Sequence, residues 1–499
     1  VAQYGRELTY LLGYPHGCLE QTISKAFPQL YFADLTKQLA TNTYFVRAGE
    51  SDMNPATNVR QAIQKVESLQ LKNGGFAMWP GMGGQTSSTA SDVDVWASAY
   101  ALHFLSEAQE AGYEVRPSVM SAAIDFLTTF TNNPATENAV TYDETGGQTV
   151  RKVASRTSLY GLYALAVAGK PNRPAMNYYK GAALQKNGGT LTPDSRYVLA
   201  ATFFRIGDTR SYSALLPSRF VDTSNRQTGG SYASPLRNLA LVLDVLVETD
   251  RANLQIPALA RQLSTALRQS TYLNTQEAAF AFLALGKLAR QNAANTATAS
   301  LSAGSKSLGN MTGAFLNLNR VPTNVPLRLN AKGAGTVYYF AQSEGVPMSG
   351  RIPDEDQGLR VRRRYLSRDG KPLTGPVRQN DLVVVQVTLS SPNGLPIENV
   401  VITDLLPAGL EVENPRLTST TDREQRDMSW IKTAGTPDHF DLRDDRINFY
   451  TSAGSTPKSF YYLARATTKG RFVVGPVSAD AMYNGELRSY NGTGIFVVN

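Results

Sequence analysis

Four blocks rich in alanine and leucine recur along the chain: SLYGLYALAVAG (158–169), SRYVLAATFFRIG (195–207), PLRNLALVLDVLVE (235–248) and NTQEAAFAFLALGKLAR (274–290). They centre near Ala164, Ala201, Leu241 and Ala279, at intervals of 37, 40 and 38 residues. A period of that length is one helical hairpin. Upstream, DVDVWASAYALHFLSEAQEAG sets Trp96, Tyr100 and Phe104 four apart, on one helical face. The turns echo one another as well. LQLKNGGF (69–76) resembles ALQKNGGT (183–190), and Gly229-Gly230 precedes the third block; paired glycines suit turns that need positive φ or close backbone approach. About six such hairpins fit into the first 300 residues, as an open solenoid or closed into an α/α toroid. Alanine permits close helix contacts and so favours the toroid.

The period changes after about residue 300. NVPLRLNAKGAGTVYYFAQSEGVP (324–347) holds two strand-like runs around a glycine-rich turn. In DLVVVQVTLS, Val383, Val385, Val387 and Leu389 alternate with Val384, Gln386, Thr388 and Ser390, the pattern of a half-buried strand. Further strands are expected at 399–406, 446–452, 458–467 and 470–479, giving a C-terminal β-sandwich of about seven strands. The stretch 301–347 is short for a core of its own and is expected to complete a β-domain begun upstream.

With 499 residues the chain exceeds a single core, and two to four domains are expected. Lys+Arg 49 against Asp+Glu 41 leaves only a mild positive balance. The densest basic run, Arg360 to Arg364, lacks any aromatic platform or finger motif, so nucleic acid is not an expected partner and a solvated strand edge or linker is. One cysteine and three scattered histidines, His16, His103 and His439, make no metal-ligand spacing, and no cofactor is expected. No apolar run is long enough for a membrane span. The start at Val1 fits a fragment or a processed chain.

The single cysteine is Cys18, in YPHGCLEQ (14–21). A lone cysteine is ordinarily a small buried hydrophobe. Here Pro15 and Gly17 mark a tight entry into a helix, where a thiol is favoured as thiolate, and Gln21 lies three residues on, facing the same side of the first turn. A cysteine protease would need a nearby base. His16 would have to fold back, His103 sits on the Trp96 helix as a partly buried structural residue, and His439 belongs to the β-region. Alternatively, the Cys18 sulfur can attack the Gln21 carboxamide, expel ammonia and close a fifteen-membered thioester ring.

YPHGCLEQ is similar to the thioester motif of the alpha-2-macroglobulin and complement superfamily, and especially to its bacterial alpha-2-macroglobulins. Cys18 and Gln21 match the thioester-forming pair. Tyr14, Pro15 and Gly17 match the surrounding turn, Leu19 and Glu20 match the intervening residues, and His16 stands where the family more often has tyrosine. The resemblance implies a multidomain α plus β fold, an α/α-toroid thioester domain over 1–300, the returning half of a CUB-like β-domain over 301–347, and a macroglobulin-like β-sandwich over 348–499, together the C-terminal portion of such a protein.

The implied function is that of an inhibitor, not an enzyme. A protease cuts a bait segment, the domains rearrange, and the exposed thioester acylates a lysine of the attacker. The bait region and upstream macroglobulin domains lie outside this sequence, as would any membrane anchor at an N-terminus. Complement relatives carry a histidine that redirects the thioester to hydroxyls. The matching stretch, Asn132 to Val150, has none, which favours direct attack by lysine amines. The resemblance further implies a periplasmic or cell-envelope location and a tyrosine shield against water, assigned to Tyr483 with Met482 beside it in MYNGELR (482–488). Two other functions fit the same architecture. One is a carbohydrate-active enzyme using Asp92 with Asp94, or Asp143 with Glu144. The other is a helical-repeat scaffold in which Cys18 is packing.

Overall fold

The computed structural model describes residues 17–40, 54–80, 93–142, 148–185, 190–222, 224–270, 272–291, 298–311, 316, 318, 321–322, 324–333, 352–413, 430–431 and 433–499. The chain divides into two compact units, one holding most of the sequence to residue 344 and the other holding 345–499 together with 81–86 and 226–232.

Among its described residues the first unit contains eleven helices: α1 (Leu19–Ala40), α2 (Pro55–Ser68), α3 (Val95–Glu110), α4 (Pro117–Thr131), α5 (Arg156–Val167), α6 (Arg173–Ala183), α7 (Pro193–Arg205), α8 (Thr209–Leu215), α9 (Pro235–Thr249), α10 (Ile256–Gln269) and α11 (Thr275–Gln291). Their starts are written locally. Six carry proline in the first turn, where the missing N–H has no intrahelical partner to lose. Asn54, Asp94, Ser155, Asn172, Asp208 and Ser234 cap helix N-termini through side-chain oxygens.

The odd-numbered helices form a ring. α1 packs on α3, α3 on α5, α5 on α7, α7 on α9, α9 on α11, and α11 returns to α1. The helical unit is therefore a closed α/α toroid, with the even-numbered helices outside it. Burial separates the two layers. α10 buries one stripe, Ile256, Leu259, Leu263 and Leu267, as an outer amphipathic helix should. Ring helix α3 buries every residue from Trp96 to Ala108, and α9 every residue from Leu236 to Val247. The alanine-leucine blocks of the sequence are thus ring helices α5, α7, α9 and α11.

Two β-elements of this unit are not visible in the helical period. A hairpin of β1 (Thr136–Tyr142) and β2 (Gln148–Ala154) stands between α4 and α5. After α11, β3 (Thr298–Ala303), β4 (Lys306–Met311) and β5 (Leu327–Lys332) form an antiparallel sheet in the order β4-β3-β5. The strand-like run expected after Gly333 lies outside the described residues.

The second unit is a β-sandwich. One sheet has the order β10-β13-β8-β7 and the other β11-β12-β9-β15-β16-β6, with a separate β14-β17 pair. The strands are β6 (Glu355–Gln357), β7 (Arg360–Leu366), β8 (Leu382–Ser390), β9 (Ile397–Leu405), β10 (Leu410–Val412), β11 (His439–Leu442), β12 (Arg446–Ala453), β13 (Lys458–Ala466), β14 (Gly470–Val474), β15 (Val477–Ala481), β16 (Arg488–Asn491) and β17 (Gly494–Val498). Val383, Val385, Val387 and Leu389 of β8 enter the core, joined there by Val400 and Ile402 of β9 and by Ile447 and Phe449 of β12. The expected alternation holds from Val385 to Ser390, whereas Val384, expected on the opposite face, is also buried. The strand count does not hold, because twelve described strands replace about seven. GRFVVGPVSA divides at Gly475-Pro476 into β14 and β15, and the short strands β6, β10 and β16 carry too few residues for a visible period.

The basic run Arg360 to Arg364 is edge strand β7, as expected, but it is not wholly solvated. Arg363 is 2% exposed and pairs with Asp404, which is 0% exposed. The guanidinium also donates to the carbonyls of Gly475 (2.8 Å) and Gly492 (2.7 Å), and Tyr462 Oη donates to Asp404 Oδ2 at 2.8 Å. Arg360 and Arg362 turn outward to Asp356.

Candidate functional site

Cys18 and Gln21 meet at the N-terminus of ring helix α1. Gly17 enters the turn at φ +108°, a backbone region that residues with a β-carbon avoid. Cys18 is buried, at 1% exposure. Its backbone N–H donates to Gln21 Oε1 at 3.3 Å, and the Gln21 N–H points at Cys18 Sγ at 3.5 Å. The two side chains therefore cross within one helical turn, each facing the other residue's backbone. The next N–H, that of Thr22, bonds Cys18 O at 2.9 Å and starts the helical ladder.

Three elements hold this turn. The Leu19 N–H donates to Met78 O at 2.8 Å. Met78 follows the LQLKNGGF turn, which is pinned by the Gln70–Phe76 bridge and by Phe76 N donating to Ser98 Oγ at 2.9 Å. From α2, Lys65 Nζ donates to Gly17 O at 2.7 Å. From α11, Thr275 Oγ1 and Gln276 Nε2 donate to the Glu20 carboxylate at 2.8 Å each. Ser24 Oγ donates to the same carboxylate and lies 3.4 Å from Tyr100 Oη of α3. Glu20 is fully buried, and burying a carboxylate is costly unless several donors meet it. The residue next to Gln21 thus ties the first ring helix to the last.

His103 is a correction in degree. Expected to be partly buried, it is completely buried. Nδ1 lies 2.7 Å from Tyr160 Oη and Nε2 lies 2.8 Å from Glu107 Oε1. Lys287 Nζ reaches Glu107 (2.9 Å), Glu248 (3.0 Å) and Asp244 (3.1 Å). Burial opposes charge on His103, but Glu107 and Glu248 outweigh it and raise its pKa to about 9. Burial pushes Asp244 up to about 7, against the pull of Lys287. His103, Glu107 and Glu248 are spaced closely enough to hold a cation. The Lys287 ammonium, bonded to both carboxylates, supplies that positive charge itself. With both ring nitrogens engaged, His103 is a ring-core residue and no base for Cys18.

Asp94 accepts from Ala97 N at 2.8 Å as the cap of α3, the ordinary use of an aspartate at that position. Asp92, Asp143 and Glu144 lie outside the described residues, as do Tyr14, Pro15 and His16 of the motif.

Met482 and Tyr483 sit in the turn between β15 and β16. Met482 N donates to Asn399 O at 2.9 Å. Tyr483 is 1% exposed, and its ring lies 4.4 Å from that of Tyr232. Tyr232 closes the segment 226–232 that groups with the second unit. There Asn399 Nδ2 donates to Thr228 O at 2.8 Å, and a β-carbon on Gly229 would stand 1.7 Å from Glu398 Oε2. Gly229 is therefore a close-approach site and Gly230 takes positive φ, at +62°; in the 69–76 turn Gly74 likewise has φ +87° and Gly75 lies against Val93. Sequence reasoning missed Lys65, Thr275 and Gln276. The lysine is one unremarkable helix charge, and the other two stand some 255 residues from Glu20.

Two families match the chain: the A-macroglobulin TED domain over residues 1–134 and the bacterial alpha-2-macroglobulin MG10 domain over residues 358–486. Alpha-2-macroglobulin of Escherichia coli (strain K12) is 27% identical over 507 residues, covering 98% of this chain and 28% of that protein. The chain thus spans little more than a quarter of the curated relative's length. Two solved structures share the fold. Native alpha-2-macroglobulin from Escherichia coli, from domain MG7 to the C-terminus, has a TM-score of 0.72 at 24% identity, covering 99% of this chain and 75% of that one. Salmonella alpha-2-macroglobulin reacted with methylamine has a TM-score of 0.71 at 23% identity, covering 99% and 30%.

Proposed function

Since the chain belongs to the bacterial alpha-2-macroglobulin family, as a C-terminal portion bearing its TED and MG10 domains, we propose that it is the reactive part of a protease trap whose warhead is a thioester between Cys18 and Gln21. The observation that carries this is the crossing of the two side chains within one buried turn, Gln21 Oε1 at Cys18 N and Sγ at Gln21 N. In ring closure, a bond forms between Sγ and Gln21 Cδ, the Cδ–Nε2 bond breaks, and the thiol proton leaves with the nitrogen as ammonia. An attacking lysine amine then forms a new bond to Cδ. The Sγ–Cδ electron pair returns to sulfur, and the amine gives up one proton. The products are an amide linking trap and target, and a free Cys18. The trap acts once and does not turn over.

The same proposal gives Tyr483, with Met482 beside it, the role of covering the thioester from water, because a reactive acyl group survives only where water is excluded. It places the whole protein in the periplasm or at the cell envelope, where it would meet foreign proteases, and assigns bait cleavage to the upstream domains. Methylamine, with which the Salmonella relative was reacted, is the natural small probe. Intact mass spectrometry of freshly isolated chain should read about 17 Da below the encoded mass, the ammonia lost in cross-linking. Methylamine should then add to Gln21 and release one titratable thiol. Full encoded mass with Cys18 already free, and no methylamine uptake, would remove the thioester.

A further inference from the structure

Lys65 is the charged residue that α2 contributes to the reactive turn. Its Nζ lies 2.7 Å from the Gly17 carbonyl, one residue ahead of Cys18. Among the described residues, three other charged or titratable groups on the elements packed around this turn have partners of their own. The Glu20 carboxylate is held by Thr275, Gln276 and Ser24. Tyr100 of α3 lies against Ser24. Glu277 of α11 accepts from Ser234 Oγ at 2.6 Å and from Asn274 N at 3.1 Å. On the sulfur side, the Gln21 N–H is aimed at Sγ from the open end of the helix, where partial positive charge collects.

We propose that Lys65 is the electrostatic partner of the Cys18 sulfur: its ammonium, anchored at the Gly17 carbonyl, stabilises the thiolate formed when the Sγ–Cδ bond opens. This rests on the thioester reading above. As an amine attacks Cδ, sulfur takes the electron pair and becomes negative before any proton reaches it, and a fixed cation at the turn favours that charge. Burial pushes the Lys65 pKa down, and the charge of Cys18 pushes the other way, as expected for two groups that sense each other. The hydrogen bond to Gly17 also keeps the amine from becoming the thioester's own acceptor. Lys65 acts through the turn and through its charge, and so is a positioning residue.

The test uses the full chain with Lys65→Met, Lys65→Gln and Lys65→Arg after methylamine treatment. The single cysteine allows thiolate to be read by absorbance near 240 nm, with Cys18→Ser subtracted to cancel the tyrosines. The thiolate midpoint should rise by about one pH unit in Lys65→Met and Lys65→Gln, the usual effect of removing one nearby opposite charge. Lys65→Arg, which keeps the charge, should stay near the parent. Midpoints that coincide in the parent, Met and Gln chains would overturn the proposal, as would an Arg chain that shifts as far as the Met chain. A mass deficit that methylamine leaves in place, with the thiol already titratable, would make Lys65 an internal acceptor and overturn it too. A parent without any mass deficit sinks the thioester instead, while the thiolate titration still decides the role of Lys65.

Discussion

A β-carbon on residue 17 would stand 2.0 Å from Gln21 Oε1. Gln21 occupies the space that a side chain at Gly17 would fill, and the backbone there, at φ +108°, is one that glycine alone adopts easily. Gly17→Ala should cost about 1–3 kcal/mol in strain and displace the carboxamide from the sulfur. The mass deficit of about 17 Da should be lost in most molecules while the helical circular dichroism is kept. A fully retained deficit would mean that ring closure tolerates a different turn.

Tyr483 packs its ring on Tyr232 at 4.4 Å. If this aromatic pair belongs to the cover over the warhead, Tyr483→Ala should release the Cys18 thiol faster in buffer alone, and Tyr483→Phe should behave as the parent does. Thiol release in the Ala chain at the parent rate would take Tyr483 out of the shield.

His103 binds its proton more tightly folded than unfolded, with a pKa of about 9 against an ordinary 6.5. A raised value of this kind contributes stability fully below the unfolded pKa and loses it as pH climbs through the folded one. Asp244, raised to about 7 by burial, exerts its opposing cost by neutral pH and adds little slope above it. The helical unit should therefore lose about 2 kcal/mol between pH 7 and pH 9.5. Urea melts across that window would show the slope, and His103→Gln should flatten it. An equally steep dependence in the variant would assign the loss to another group.

Arg363 and Asp404 are nearly without solvent contact. Arg363→Met leaves a buried carboxylate that still accepts from the Tyr462 hydroxyl at 2.8 Å but has lost its cation, and should destabilise the β-unit by about 3–5 kcal/mol. Adding Asp404→Leu should recover a large part of that loss, since an uncompensated charge costs more than a missing pair. Trp430, in the same unit, offers a fluorescence signal for the melts. A double variant as unstable as the single one would show that packing, not charge, dominates there.

Local patterns carried most of the fold into the sequence. Ring helices α5, α7, α9 and α11 were legible because they are buried over most of their surface and so are rich in alanine and leucine, and β8 because its side chains alternate at period two over most of its length. Short strands such as β6 and β10 span three residues each and have no period to read. That Cys18 and Gln21 meet in one turn was legible because they are three residues apart. Their supports were not, since Lys65 and Thr275 reach the turn from other helices and carry no mark of it in their own neighbourhoods. Arg363 looked like its neighbours in RVRRR. Only strand pairing decides which of those arginines faces Asp404.

Glu20 meets Thr275 across 255 residues. During synthesis at roughly 5–20 residues per second, Cys18 and Gln21 would leave the ribosome roughly 13 to 50 seconds ahead of the hydroxyl that completes their clamp. The bolt is thus also a timer, and the turn of Cys18 and Gln21 cannot take its finished geometry until the domain that must house it has been made.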